Sequence, residues 1–201
     1  MVDETIDTRG RILEAAVNVF AQKGYHDTRV DDIVSESKTS KGSVYFYFPS
    51  KQDIFFGLIE TFSSLLESRL NDAIQTGEHG IQQMDSALRV SLNLFSQYRT
   101  LAKIVLIQAV GLGAAFETRR RMINDRFAQI IQIRLDKAVA EKSIPALRTD
   151  LAARAWVGAL NEVVIHWIYS GEDDLSEIIP ALRDLLLRSI GVPADRLPPF
   201  E

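Results

Sequence analysis

Apolar positions along the chain recur at three- and four-residue intervals, a spacing that predicts helices from one end to the other. Ile12, Leu13, Ala16, Val19 and Phe20 share one face of a first helix over about Thr8 to Lys23, which Gly24 stops. Thr28-Arg29-Val30-Asp31 has the spacing of a capping box and opens a short helix that ends near Ser37. Another short helix starts at Ser40 and ends before Pro49. Ser50-Lys51-Gln52-Asp53 is a second capping box. It opens a long helix to about Thr76, with Ile54, Phe55, Leu58, Phe62, Leu65, Leu66 and Leu70 inward. Residues 50–144 contain no proline, and further helices are predicted over about 81–97, 100–110, 117–142, 149–170 and 174–190. Gly77 and Gly80, Gly111 and Gly113, Pro145 and Gly171 mark the breaks, and a proline-rich tail, 193–201, is expected to be loose. No alternating run bounded by turn residues occurs, so the expected fold is all-α, with about nine helices.

Composition narrows the chemistry. Apolar residues make up 46% of the 201 positions and charged residues 25%, which suits a folded chain. The absence of cysteine excludes disulfides, thiolate metal sites and cysteine nucleophiles, and favours a reducing, cytoplasmic compartment. The histidines, His26, His79 and His166, are far apart in sequence. No Glu-x-x-His pair of the ferritin-like di-iron type and no Gly-x-Ser-x-Gly elbow is present, so neither metal, cofactor nor enzymatic activity is expected. The longest apolar stretches, Leu101–Phe116 and Trp156–Tyr169, are shorter than a bilayer span, and the polar start MVDETIDTRG has no signal-peptide character. No membrane association is expected.

Net charge is −4, which argues against a generally sticky polycation. One window departs from that balance. Eight acids lie between Asp3 and Glu36, whereas Lys38 to Lys51 holds three lysines and no acid. Two short helices joined by a tight turn, with a basic N-terminus on the second, describe a helix-turn-helix. Ser40-Lys41-Gly42-Ser43 supplies free backbone amides, small side chains for close approach, and a lysine able to reach a guanine edge. Tyr45, Tyr47 and Lys51 can meet backbone phosphates. The run Tyr45-Phe46-Tyr47-Phe48 has a second reading as core aromatics, which Phe48 and Val44 fit best.

At these residues the chain resembles the TetR family of transcriptional repressors. Three stretches carry the resemblance: Arg11-Ile12-Leu13-Glu14-Ala15-Ala16 through Lys23-Gly24-Tyr25, Thr28 through Val34, and Ser40 through Lys51. It covers roughly residues 6–66, leaving 67–192 as a divergent ligand-binding and dimerisation region. It implies groove contacts from Thr39, Lys41, Gly42, Ser43 and Phe46, and phosphate contacts from Thr28, Ser40, Tyr45, Tyr47 and Lys51. It further implies a double-stranded operator of palindromic sequence, a homodimer through the last two helices (about 149–190) and a small-molecule effector that releases the DNA. Candidate effector-lining residues are Phe95, Tyr98, Ile107, Phe116, Met122, Phe127, Trp156, Asn161 and His166. Two positions depart from the family pattern. Ser37-Lys38-Thr39 stands where Ala-Gly-Val is usual, so a left-handed Lys38 would cost about 1 kcal/mol. Val34 replaces a common alanine where the two helices cross.

Broad apolar stripes mark the last two helices: Leu151, Ala152, Ala155, Trp156, Ala159, Leu160, Val163, Val164, Trp167 and Ile168, then Leu175, Ile178, Ile179, Leu182, Leu185, Leu186 and Ile190. Such width suits burial within one chain on one side and against a partner on the other. Arg119-Arg120-Arg121 with Arg126 lies near a helix start, where the dipole disfavours cations; a solvated face is the first reading, with acidic neighbours or an anionic effector group such as an acyl-CoA or a carboxylate as the alternatives. Gly57 fits either a pivot in the long helix or close packing against the first.

Overall fold

The computed structural model of the chain describes residues 7–76, 80–171 and 178–197. Over these residues nine α-helices follow one another: α1 (Thr8–Asp27), α2 (Val30–Ser37), α3 (Lys41–Tyr47), α4 (Lys51–Thr76), α5 (Gly80–Gln97), α6 (Arg99–Lys103), α7 (Ala114–Ala140), α8 (Thr149–Ser170) and α9 (Ile178–Ser189). No strand occurs among the described residues, and the fold is all-α as the periodicity requires. Gly77, His79, Leu175 and the predicted start of the last helix lie outside the described residues. Ala194–Arg196 forms a 3-10 turn, with the Leu197 amide donating to the Ala194 carbonyl.

The helices gather into two compact units. The first comprises the chain up to Ser64 together with Thr100–Gly111; the second comprises Leu65–Arg99 and the chain from Leu112 onward. Residues 104–108 form a π-helical turn closed by the Ala109 amide on the Ile104 carbonyl, and this turn packs on α1. There Gln108 Nε2 donates to the Phe20 carbonyl at 3.3 Å.

In the first unit, α1 buries Ile12, Leu13, Ala15, Ala16, Val19 and Phe20. Gly24 takes a φ of 78°, so the expected stop is a kink, and Tyr25–Asp27 continue beyond it. The kink turns the Tyr25 ring toward Phe20 and Phe55, which meet edge-on in a cluster with centroids 5.0 to 5.6 Å apart. Ile54, Phe55, Leu58 and Phe62 of α4 are buried as predicted, whereas Leu65 is half-buried. Gly57 serves packing. A methyl there would sit 2.8 Å from Phe48 Cε1 and 3.2 Å from Leu13 Cδ2.

In the second unit, α7 packs along α8, and α5 packs against α7, α8 and α9. The buried face of α8 is Ala153, Trp156, Val157, Leu160, Val164, Trp167 and Ile168. Arg183 of α9 is 3% exposed and reaches the equally buried Asp85 of α5, whose other oxygen accepts from Arg89 Nε at 3.1 Å. The arginine run of α7 has acidic neighbours: Arg120 pairs with Glu117 at 2.7 Å, and Arg126 with Glu67.

Lys38 ends α2 at φ 53°, ψ 33°, the left-handed region that favours glycine. Lys38→Gly is expected to raise stability by about 0.5 kcal/mol, the relief of about 1 kcal/mol of steric cost being partly offset by the freer unfolded chain. Urea denaturation at matched pH measures it.

Candidate nucleic-acid interface

The entry to α2 is built around a carboxylate. Arg29 occupies the cap, and its backbone N–H donates to Asp32 Oδ2 at 2.8 Å. The capping box thus begins one residue later than the Thr28 start predicted from spacing. The reason lies in the kink of α1, for Thr28 Oγ1 donates back to the Gly24 carbonyl at 2.7 Å. Lys23 Nζ also reaches Asp32, at 2.8 Å; its hydrogen bond, with that from the Arg29 amide, holds the Asp32 carboxyl below the usual carboxylate range. Asn18 Nδ2 adds a bond to Glu36 across the same pair of helices.

After the left-handed Lys38, Ser37 Oγ and Thr39 Oγ1 lie 2.8 Å apart and tighten the turn. Ser40 caps α3, accepting from the Ser43 amide at 3.0 Å and pairing with Ser43 Oγ at 2.8 Å. Val44 and Phe48 are buried and fasten α3 to the core, with the Arg9 guanidinium over the Phe48 ring. Tyr45, Phe46 and Tyr47 face outward. Phe46 is 80% exposed, and its ring meets Tyr47 edge-on at 5.1 Å. The geometry therefore divides the aromatic run that the sequence left open, with one ring inside and three outside.

Gly42 lies on the exposed side of α3. A methyl there would meet only Ser40 Oγ, at 3.8 Å, so nothing within the chain requires glycine at this position. Lys41 Nζ stands 2.6 Å from Asp31 Oδ1, a pairing that raises the lysine above its ordinary pKa. The sequence read Asp31 as the closing acid of a capping box, a role the structure gives to Asp32, and its pairing with Lys41 had no signal there because the contact joins two helices.

The structure brings Thr39, Ser40, Lys41, Gly42, Ser43, Tyr45, Phe46 and Tyr47 together on α3 and its entry turn. It places the other two predicted contacts differently. Thr28 is buried, its hydroxyl spent on Gly24. Lys51 Nζ donates to the carbonyls of Tyr25, His26 and Thr28 at 2.6, 3.1 and 2.8 Å and lies over the Tyr25 ring. Burial pulls this ammonium below the ordinary lysine pKa, with Asp27 opposing the shift. Lys51 thus closes the end of α1. At the start of α4, Ser50 Oγ accepts from the Asp53 amide, the N-cap half of the predicted capping box, and donates to the Asp53 carboxylate.

The candidate effector residues scatter. Phe95, Phe116 and Trp156 are buried, and Trp156 Nε1 donates to Ser189 Oγ at 3.2 Å. Tyr98 and Phe127 are half-buried, and Asn161 Nδ2 donates to Asn124 Oδ1 at 3.3 Å. Met122 and His166 are exposed and stand apart from the buried set, while Ile107 belongs to the first unit. A groove of about 460 Å³ in the second unit is lined by Val139, Ile144, Pro145 and Gly191 among others, and includes none of the candidates. Among the described residues no cluster of three His, Asp or Glu is arranged to hold a metal ion, and no helix is long and apolar enough to cross a membrane.

Residues 12–58 match the family described as bacterial regulatory proteins, tetR family. Nearly the whole chain is similar to YdgC, an HTH-type transcriptional regulator of Bacillus subtilis, at 25% identity over 191 residues, covering 93% of this chain and 94% of the relative. It is also similar to the fatty acid metabolism regulator protein of Bacillus subtilis, at 24% identity over 189 residues, 90% of this chain and 94% of that one. In fold it matches the solved structure of the Bacillus subtilis regulator FadR in complex with stearoyl-CoA, with a TM-score of 0.80 and 22% identity over 90% of this chain and 98% of that chain. Fold and site define a DNA-binding transcriptional regulator of the helix-turn-helix class. Over residues 12–58 the chain carries the DNA-binding segment of the tetR family.

Replacing Lys51 with methionine keeps the stem and removes three hydrogen bonds from an ammonium. Lys51→Met is expected to cost about 2 kcal/mol of stability, read from chemical denaturation midpoints. A lysine whose only partner is a DNA phosphate would leave that midpoint unmoved.

Proposed function

We propose that this regulator is a repressor that binds a palindromic operator as a homodimer and leaves it when a small amphipathic effector binds. The observation that carries the DNA reading is the outward face of α3, where a short helix spends its exposed surface on three aromatic rings, hydroxyls and a glycine with no internal purpose. Inserted amino end first, α3 offers Lys41 to a guanine edge, lets the groove wall approach at Gly42, and lays Phe46 against base edges. Thr39 and Ser43 reach the groove beside them. Ser40, Tyr45 and Tyr47 contact phosphates. Thr28 and Lys51 act one step back, by fixing the turn from which α2 and α3 depart.

A second copy fits the outer face of α8. Leu151, Ala155, Gly158, Glu162, His166 and Tyr169 form an exposed stripe at helical spacing, and Leu151, Tyr169 and Leu185 of α9 are 61%, 69% and 64% exposed. Gly158 sits in the middle of the helix at about 1 kcal/mol relative to alanine, yet nothing lies within 4 Å of where its Cβ would be. Close approach of another helix explains it, and two-fold pairing also sets two recognition helices about one DNA turn apart. The resemblance in fold to a regulator solved with stearoyl-CoA supports a long-chain acyl-CoA as the effector class, for which Phe95, Phe116, Phe127 and Trp156 of the second unit are the candidate contacts. Occupancy there moves α4 and changes the spacing of the two recognition helices, which removes simultaneous docking.

Three measurements test this reading. Gly42→Ala is expected to lower duplex affinity about tenfold or more while leaving thermal stability unchanged or slightly raised; unaltered binding would overturn the role of α3. Gly158→Leu is expected to give folded monomer by light scattering, and a dimer that persists would overturn the α8 interface. Stearoyl-CoA is expected to raise the melting temperature and weaken operator binding in a gel-shift titration. Stabilisation with unchanged operator affinity would sink the coupling.

A further inference from the structure

The lysine that reaches for the bases is not free in the unbound protein. Lys41 Nζ lies 2.6 Å from Asp31 Oδ1, and both side chains are largely exposed. Asp31 is not needed to close its own helix, because its neighbour Asp32 caps α2 and pairs with Lys23. A carboxylate beside the leading end of α3 is also poorly placed for a surface that must approach polyanionic DNA. Its position therefore calls for a reason connected with Lys41.

We propose that Asp31 is a positioning residue for sequence discrimination, holding the Lys41 ammonium toward the base edges and away from flanking phosphates. This rests on the reading of α3 as the DNA-recognition helix. An ammonium carries three N–H donors. One in the pair with Asp31 leaves two for guanine O6 and N7, so the pair persists at the operator. To neutralise a phosphate on the groove wall, Lys41 must leave Asp31, and that separation is charged against non-specific binding alone. The rest of the lysine window sharpens the effect. The Lys51 ammonium is spent on three carbonyls, so Lys41 and Lys38 are the lysines of that window left to set the electrostatic grip. Discrimination is gained here by weakening the wrong complex.

The test uses the full-length chain, a duplex recovered by selection from a random pool, and a scrambled duplex of the same length. Asp31→Asn keeps shape and removes charge. It is expected to bind the scrambled duplex about fivefold more tightly at low salt. The salt slope of that binding is expected to steepen by about one per protomer, the signature of one more phosphate neutralised. The ratio of selected to scrambled affinity falls about fivefold, with the melting temperature little changed. In a Lys41→Gln background the same substitution is expected to leave ratio and slope where they were. An Asp31→Asn protein with wild-type slope and ratio overturns the proposal, and so does an equal gain in the Lys41→Gln background, which would mark a general field effect. If the wild-type chain retards neither duplex, the DNA reading itself fails, and this inference with it.

Discussion

A seven-residue helix has no independent stability in water, so the constraint on which the rest depends is the seating of α3. Val44 and Phe48 provide it. Phe48 lies against Gly57 of α4 so closely that a methyl group would not fit, with Leu13 of α1 on the same spot and the Arg9 guanidinium above the ring. Because two apolar residues anchor the helix from behind, every other side chain of α3 is free to face outward. A recognition surface of this kind needs a small, stiff back and an uncommitted front. The Phe20, Tyr25 and Phe55 cluster supplies the stiffness from the α1 side.

The lysines of the basic window divide into three tasks that charge counting merges. Lys38 occupies a backbone conformation that suits glycine. Lys41 stands at the front, paired with a carboxylate. Lys51 turns inward and satisfies carbonyls at the end of α1, which otherwise meet only water. The outward face of α3 is consequently rich in hydroxyls and rings and sparing in cations, in keeping with the chain's net negative charge.

Much of this was legible in the sequence because it is local. Three- and four-residue spacing gave the helices, and their buried faces follow, as in Ile12, Leu13, Ala16, Val19 and Phe20 of α1. The Ser50–Asp53 box and the left-handed Lys38 also follow from residues close together in the chain. What escaped depends on groups that meet only after folding. The kink at Gly24 diverts the Thr28 hydroxyl and shifts the cap to Arg29. Lys51 reaches 23 to 26 residues back. The π-helical turn at 104–108 joins the first unit through its packing on α1, which no local spacing reports. Met122 and His166, apolar and polar members of one candidate set, both face solvent, because a broad stripe does not reveal which of its edges is covered.

The buried pair of Arg183 and Asp85 has a consequence for the orientation of α9. An apolar stripe such as Ile179, Leu182 and Leu186 tolerates small rotations about the helix axis, since one methyl surface substitutes for another at modest cost. A guanidinium shut away from water does not, because rotation would break its buried pair with Asp85 and leave it only Asp184, its neighbour on the same helix. The pair acts as a locating pin that sets the angle of α9 about its own axis. Leu185 on the far side is thereby held facing outward in one fixed direction.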